Sequence, residues 1–242
     1  MKKLILCLLL SASSVSSYSQ DTQQYREWFD KGAKAYYEKD YKEGLHCYDQ
    51  AIKFNKKSEV AYHNRGLCKY YLKDYSGAVK DYTKCIELKS NYAEAYINRG
   101  LAKMADDEKA IQEAIKDYAA ALSIDPTNYL AYFSRGVGKY KLKKYDEAIL
   151  DFDNALKYKA NYFNALLYKG LAYYEKRDFK QGEKILSDLV AVDPQNKLAY
   201  YNRALCYIKL DQKDKGCEDL KKSFDLGYEP AKTHYDGICT KK

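Results

Sequence analysis

Four stretches of this chain are near copies of one another. AYHNRGLCKYYLKDYSGAVKDYTKCIEL at residues 61–88 is echoed by AYINRGLAK at 95–103, AYFSRGVGKYKLKKYDEAILDF at 131–152 and AYYNRALCYIKL at 199–210. Aligned on these copies, residues 25–226 divide into six units with a period of 34, the third carrying two extra residues near Asp106 and Asp107. A period of this length signals an array of small supersecondary units, each burying its apolar face only by stacking on its neighbours. The composition permits this: 46% of the 242 residues are hydrophobic and 31% charged, too apolar for a disordered chain, and three prolines leave room for unbroken helices.

Within a unit the spacing predicts two helices. In the second unit Tyr62 and Gly66 lie four apart on one helix face, and Ala78, Tyr82 and Cys85 mark the face of a second helix. Small residues at the facing positions let the two helices approach closely. Asp40, Asp74 and Asp178, each just before an aromatic residue, are placed to cap the second helices. Pro126 and Pro194 stop those of units three and five. After Gly227, Pro230 suits the first turn of a short helix to Cys239 that would cover the last unit.

This succession of aromatic, glycine, aromatic, alanine, aromatic and alanine at a 34-residue period resembles the tetratricopeptide repeat. The departures are Lys213 in place of an aromatic, and glycine for alanine at Gly44, Gly182 and Gly216. The resemblance implies an all-α, right-handed superhelical solenoid of six helix pairs plus a C-terminal capping helix. It also implies a non-catalytic scaffold that binds a protein or peptide segment along the first helices, at their second, fifth, ninth and twelfth places. On this chain those places include Phe29, Tyr36, His63, Leu67, Tyr70, Ile97, Phe133, Tyr140, Tyr174 and Tyr201. The fifth-place residues Phe29, His63, Phe133 and Tyr201 are the expected first targets for mutation. A Lys/Asn clamp for acidic chaperone tails, found in some family members, has no counterpart here. The alternatives are a self-associating subunit of an envelope assembly, with a second copy in the groove or at one end of the array, or a glycan-binding or enzymatic protein with a site spanning repeats.

The amino terminus reads as an export signal: Lys2 and Lys3, an apolar run from 4 to 10, then a serine-rich stretch to Ser19. The apolar run is far short of the roughly 20 residues that span a bilayer. Residues 1–19 are therefore expected to be cleaved, leaving a short polar lead (20–24), the array, and a cap and tail (227–242). The mature protein would be periplasmic or secreted, without a membrane span, and the whole resembles exported repeat proteins of Gram-negative bacteria. Export suits a disulfide. Cys217 and Cys239 stand level about the turn at Tyr228, and Cys206 rivals the pairing about Asp211-Gln212. Cys68, Cys85 and Cys206 otherwise fill places where sister units carry small residues. No metal-ligand spacing, catalytic motif or phosphate loop is present, so neither cofactor nor enzyme is expected. A basic stripe at Lys31, Arg65, Arg99, Arg135, Lys169 and Arg203 precedes each unit's small residue. It reads as a solvated edge paired with acids of the neighbouring helix, rather than as a nucleic-acid surface.

Overall fold

A computed structural model describes residues 2–240 of the chain, with side chains from Gln20 onward except that of Glu108. Among the described residues every regular element is helical. The expected leader over 1–19 lies outside the described side chains.

The chain forms two compact units, 1–124 and 125–242. The first holds three helix pairs: α1 (Lys2–Tyr37) with α2 (Tyr41–Phe54), α3 (Glu59–Tyr71) with α4 (Tyr75–Leu88), and α5 (Ala93–Asp106) with α6 (Ile111–Ile124). The second unit repeats the plan with α7 (Tyr129–Lys141) and α8 (Tyr145–Tyr158), α9 (Phe163–Glu175) and α10 (Phe179–Val192), and α11 (Lys197–Lys209) and α12 (Lys213–Asp225), followed by α13 (Glu229–Ile238). In both, each first helix also touches the first helix of the next pair. The two-residue insertion becomes a 3-10 turn, Glu108–Ala110, between α5 and α6.

Capping follows the sequence. Asp40, Asp74 and Asp178 accept hydrogen bonds from the backbone N–H of Glu43, Gly77 and Gln181. First helices have their own caps, in Ser58, Asn128 and Asn196. Where one helix of a pair turns into the other, Lys39, Lys73, Lys143, Arg177 and Asp211 adopt φ near +60°. Glycine is the usual occupant of that left-handed position.

The buried centre of each of the first four pairs is a ring from the second helix lying over the glycine of the first, and Leu186 and Leu220 take the ring's place in the last two. A Cβ added at Gly66 would stand 2.8 Å from the Tyr82 ring, so only glycine admits it. Two of the three glycines that replace alanine have a second cause. A Cβ at Gly44 would meet Cys68 Sγ at 2.9 Å, and one at Gly182 would meet Cys206 Sγ at 3.1 Å. The thiols occupy the room that alanine takes in the other units. Burial pushes Cys47 up to about 11 and Cys68, Cys85 and Cys206 up to about 12, so these four free thiols stay protonated.

Helix α13 covers the last pair. Ala231 is buried against Ala204 and Leu220, among Tyr201, Ile208 and Phe224. A disulfide joins Cys217 of α12 to Cys239, with Cα atoms 5.8 Å apart, and leaves Cys206 free. Closing a loop of this length contributes about 3 kcal/mol in the chain-entropy picture.

Candidate functional site

The first helices carry the residues expected to line the inner wall, and the structure divides these residues into two sets. His63 and Ile97 are buried, at 8% and 6% exposure, and cannot meet a ligand without moving. His63 stacks on Tyr92 and accepts a hydrogen bond at Nε2 from Asn98 Nδ2, 2.9 Å away on α5. Burial holds its imidazole below the ordinary histidine value, against smaller upward pulls from Asn64 and Glu94.

The other fifth-place residues are also engaged. Phe29 meets the Tyr48 ring edge-on at 5.5 Å. Phe133 sits among Phe152, Tyr162 and Tyr168. Tyr201 bonds through its hydroxyl to His234 Nδ1 at 2.7 Å and packs on Tyr228, so the cap occupies it. The fifth place spaces successive helices. It is a poor first target for a binding mutation.

The ninth and twelfth places remain half-buried and open. In the first unit Leu67 and Tyr70 line a cavity of about 90 Å³ with Tyr71, Tyr82, Asn98 and Leu101. Tyr36 and Tyr41 lean on Tyr71, whose ring stacks on that of Tyr41 at 4.6 Å and stays half-exposed. In the second unit Tyr140 packs on Tyr145 and Tyr168. Tyr174 lines a pocket of about 370 Å³ with Glu175, Arg177, Phe179 and Lys209. The thirteenth-place Tyr71 was not among the expected positions. The tyrosine doublets Tyr36-Tyr37 and Tyr70-Tyr71 are the signal that marks this place.

The four arginines of the basic stripe are not a solvated edge, whereas Lys31 is exposed and Lys169 pairs with the half-exposed Asp153. Arg65 forks onto Asp81 through Nε and Nη2 at 2.9 and 2.5 Å, and Lys69 reaches the same carboxylate at 2.8 Å. The arrangement recurs as Arg99 with Lys103 on Asp117, Arg135 with Lys139 on Asp151, and Arg203 on Asp219. These four aspartates are buried, Asp151 to 1% exposure. Each arginine also lies over an aromatic ring three residues before it. The cations are thus spent inside the helix pairs. Pairing with acids was expected; the depth was not. Co-occurrence within the sequence carried that information, because units one and five have lysine at the arginine place and Cys47 or Ile185 at the aspartate place.

Among the described residues, no group of three His, Cys, Asp or Glu side chains could hold a metal ion, and no described helix is long and apolar enough to cross a membrane.

None of the curated proteins matches this sequence. Among solved structures, YrrB, described as a TPR protein with an unusual peptide-binding site, aligns with a TM-score of 0.65 at 21% identity, over 79% of this chain and 98% of that one. A tetratricopeptide repeat protein from Parabacteroides merdae gives 0.68 at 18% identity, over 88% and 98%. A chain of the APC/C Cut9–Hcn1 hetero-tetramer gives 0.73 at 14%, over 95% of this chain and 45% of that one. At these identities the likeness is one of fold. In the sequence itself, tetratricopeptide repeat patterns match residues 60–92, 93–128, 133–181 and 169–215. With the 34-residue period and the three helix pairs within each compact unit, these matches place the chain in the tetratricopeptide repeat family.

Proposed function

We propose that this protein is a non-catalytic interaction scaffold that holds an extended, largely uncharged segment of a partner protein against the first helices. The observation that carries this reading is a contrast of chemistry. The ninth and twelfth places present half-buried aliphatic and aromatic side chains beside open cavities, while the nearby arginines are locked onto buried aspartates. A wall of this kind favours apolar and backbone contacts over recognition of an acidic tail or a nucleic acid. The family is one of protein-interaction scaffolds, and the description of YrrB as having a peptide-binding site is in keeping with the reading.

Export belongs to the proposal as well. The signal-like residues 1–19 would be cleaved, and the Cys217–Cys239 disulfide suits an oxidising compartment such as the periplasm. Fractionation of the native host, with sequencing of the mature amino terminus, checks this. A protein retained in the reducing cytosol with residues 1–19 intact would remove that part of the proposal.

Selection from a random peptide library tests the binding surface. The wild type is compared with the pairs Leu67→Ser/Leu101→Ser and Tyr140→Ser/Tyr174→Ser. Enrichment of uncharged, apolar sequences that at least one pair loses supports the reading. Enriched peptides that bind both pairs as well as the wild type would overturn it. A wild type that enriches nothing and instead sediments as a dimer would point to self-association.

A further inference from the structure

At the thirteenth place of the first helices the six pairs part ways. Pairs one and two carry Tyr37 and Tyr71, whereas the others carry Ala105, Lys141, Glu175 and Lys209. The frame therefore needs no aromatic residue there. Both tyrosines nonetheless show their rings to solvent, Tyr37 at 84% and Tyr71 at 50% exposure. Exposed aromatic surface gathered in one place marks a contact with something else.

The two rings belong to a continuous tyrosine ledge. Tyr71 stacks on Tyr41 at 4.6 Å and leans on Tyr36 at 5.9 Å. Tyr37 stands edge-on to Tyr36 at 6.1 Å, and Tyr70 edge-on to Tyr71 at 5.8 Å. Tyr71 also walls the cavity of about 90 Å³, with Leu67, Tyr70 and Leu101, and no charged side chain lines it. At ~30 Å³ per water it holds about three heavy atoms, as many as the methylenes that close a proline ring. Ledge and cavity lie along α1, α3 and α5, where each helix touches the next.

Two features of this surface select the backbone geometry of what it holds. Helices packed side by side are spaced by about 8–10 Å. A polyproline II chain repeats one face every three residues, or about 9 Å, so successive first helices meet the same face of it. A β-strand repeats a face at about 6.7 Å and falls out of step. Flat rings set edge to face form notches that pyrrolidine rings fill. Such a chain is already extended and short of backbone N–H groups, so it needs neither a counter-charge nor a strand edge, and these rings offer neither. A second copy is a poor source of it: Pro126, Pro194 and Pro230 stand far apart, and none has another proline three residues away.

We infer that this ledge is a docking site for a proline-rich segment of a partner protein, with one proline ring in the cavity beside Tyr71 and a second, three residues away, against Tyr36 and Tyr37. The inference rests on the peptide-binding reading above and names its partner class. Selection from the random peptide library, followed by fluorescence polarisation of an enriched peptide, separates the two. The expected result is a Pro-X-X-Pro spacing among the enriched peptides, with Kd weakened about tenfold by Tyr37→Lys/Tyr71→Lys. Lysine stands at that place in pairs four and six, so the thermal midpoint should persist. Replacing either proline of the peptide by alanine should cost as much. Tyr37→Phe/Tyr71→Phe, which keeps the rings, should bind as the wild type does, and so should Leu150→Ser, which removes an exposed apolar side chain from α8. Enriched apolar peptides that lack the spacing, or that have it and are indifferent to the lysine pair, would refute the docking site while the groove stands. Binding of cellohexaose that the wild type shows and the lysine pair loses would assign the ledge to glycans and overturn the inference. A wild type that enriches no peptide removes the groove reading and the docking site with it.

Discussion

The first and second helix pairs share one frame and bury different chemistry. In α3–α4, Arg65 and Lys69 converge on Asp81, and His63 and Asn98 form a polar bridge beside an unpartnered Tyr82 hydroxyl. In α1–α2 the same places hold Lys31, Ala35, Cys47, Phe29 and a Tyr48 whose hydroxyl is satisfied. Both pairs keep the glycine under the ring and the left-handed lysine at the turn. The frame therefore does not need the polar network. A buried ion pair seldom adds net stability over an apolar pair of the same shape, yet removing one partner leaves a stranded charge.

Asp81→Ala breaks the comparison most forcefully. It leaves Lys69 without its carboxylate and Arg65 with Asp49 alone, and denaturant unfolding should show a loss of about 3 kcal/mol, the lower end of the range for a broken buried pair. Replacing the whole group with the residues of the first pair (Arg65→Lys, Lys69→Ala, Asp81→Cys) should recover most of that loss and return stability to within about 1 kcal/mol of the wild type. A triple variant as unstable as Asp81→Ala would mean that the network itself holds the pair together.

Acid should separate the pairs next. His63 is neutral in the folded state because burial depresses its affinity for protons. The unfolded chain takes up that proton first, so stability is present above pH ~6.5 and is lost as the pH falls toward the lower folded value. The loss is at most about 1.4 kcal/mol per pH unit. His63→Phe, which copies Phe29, should remove this component. Equal acid sensitivity of wild type and variant, measured as unfolding free energy at pH 7 and pH 5, would contradict the assignment. The smallest effect should be the same in both pairs: Lys39→Gly and Lys73→Gly each relieve a left-handed residue, with a gain of under about 1 kcal/mol.

The comparison also shows how far the sequence could be read. Gly66, Ala78 and Tyr82 were legible because every pair must stack in the same way, and their counterparts recur. The arginine stripe was visible as a pattern but not as a depth, since residue type alone does not separate a rim from an interior. Asp81, Asp117, Asp151 and Asp219, present only where arginine is, held the missing clue. His63, Ile97 and Phe133 vary among the units as ligand contacts would, yet neighbouring first helices claim that side of the wall. Tyr82 lay beyond sequence reading altogether, because its missing partner depends on which way the Asn98 amide is turned.

The central claim is that ligands lie on the first helices and not on the second. A library-selected peptide carrying a photoreactive group, cross-linked and mapped by mass spectrometry, tests it directly. The prediction is attachment within Glu59–Tyr71 and Ala93–Asp106 of the first unit or within Tyr129–Lys141 and Phe163–Glu175 of the second. Attachment confined to α4, α6, α8 or α10 would contradict it.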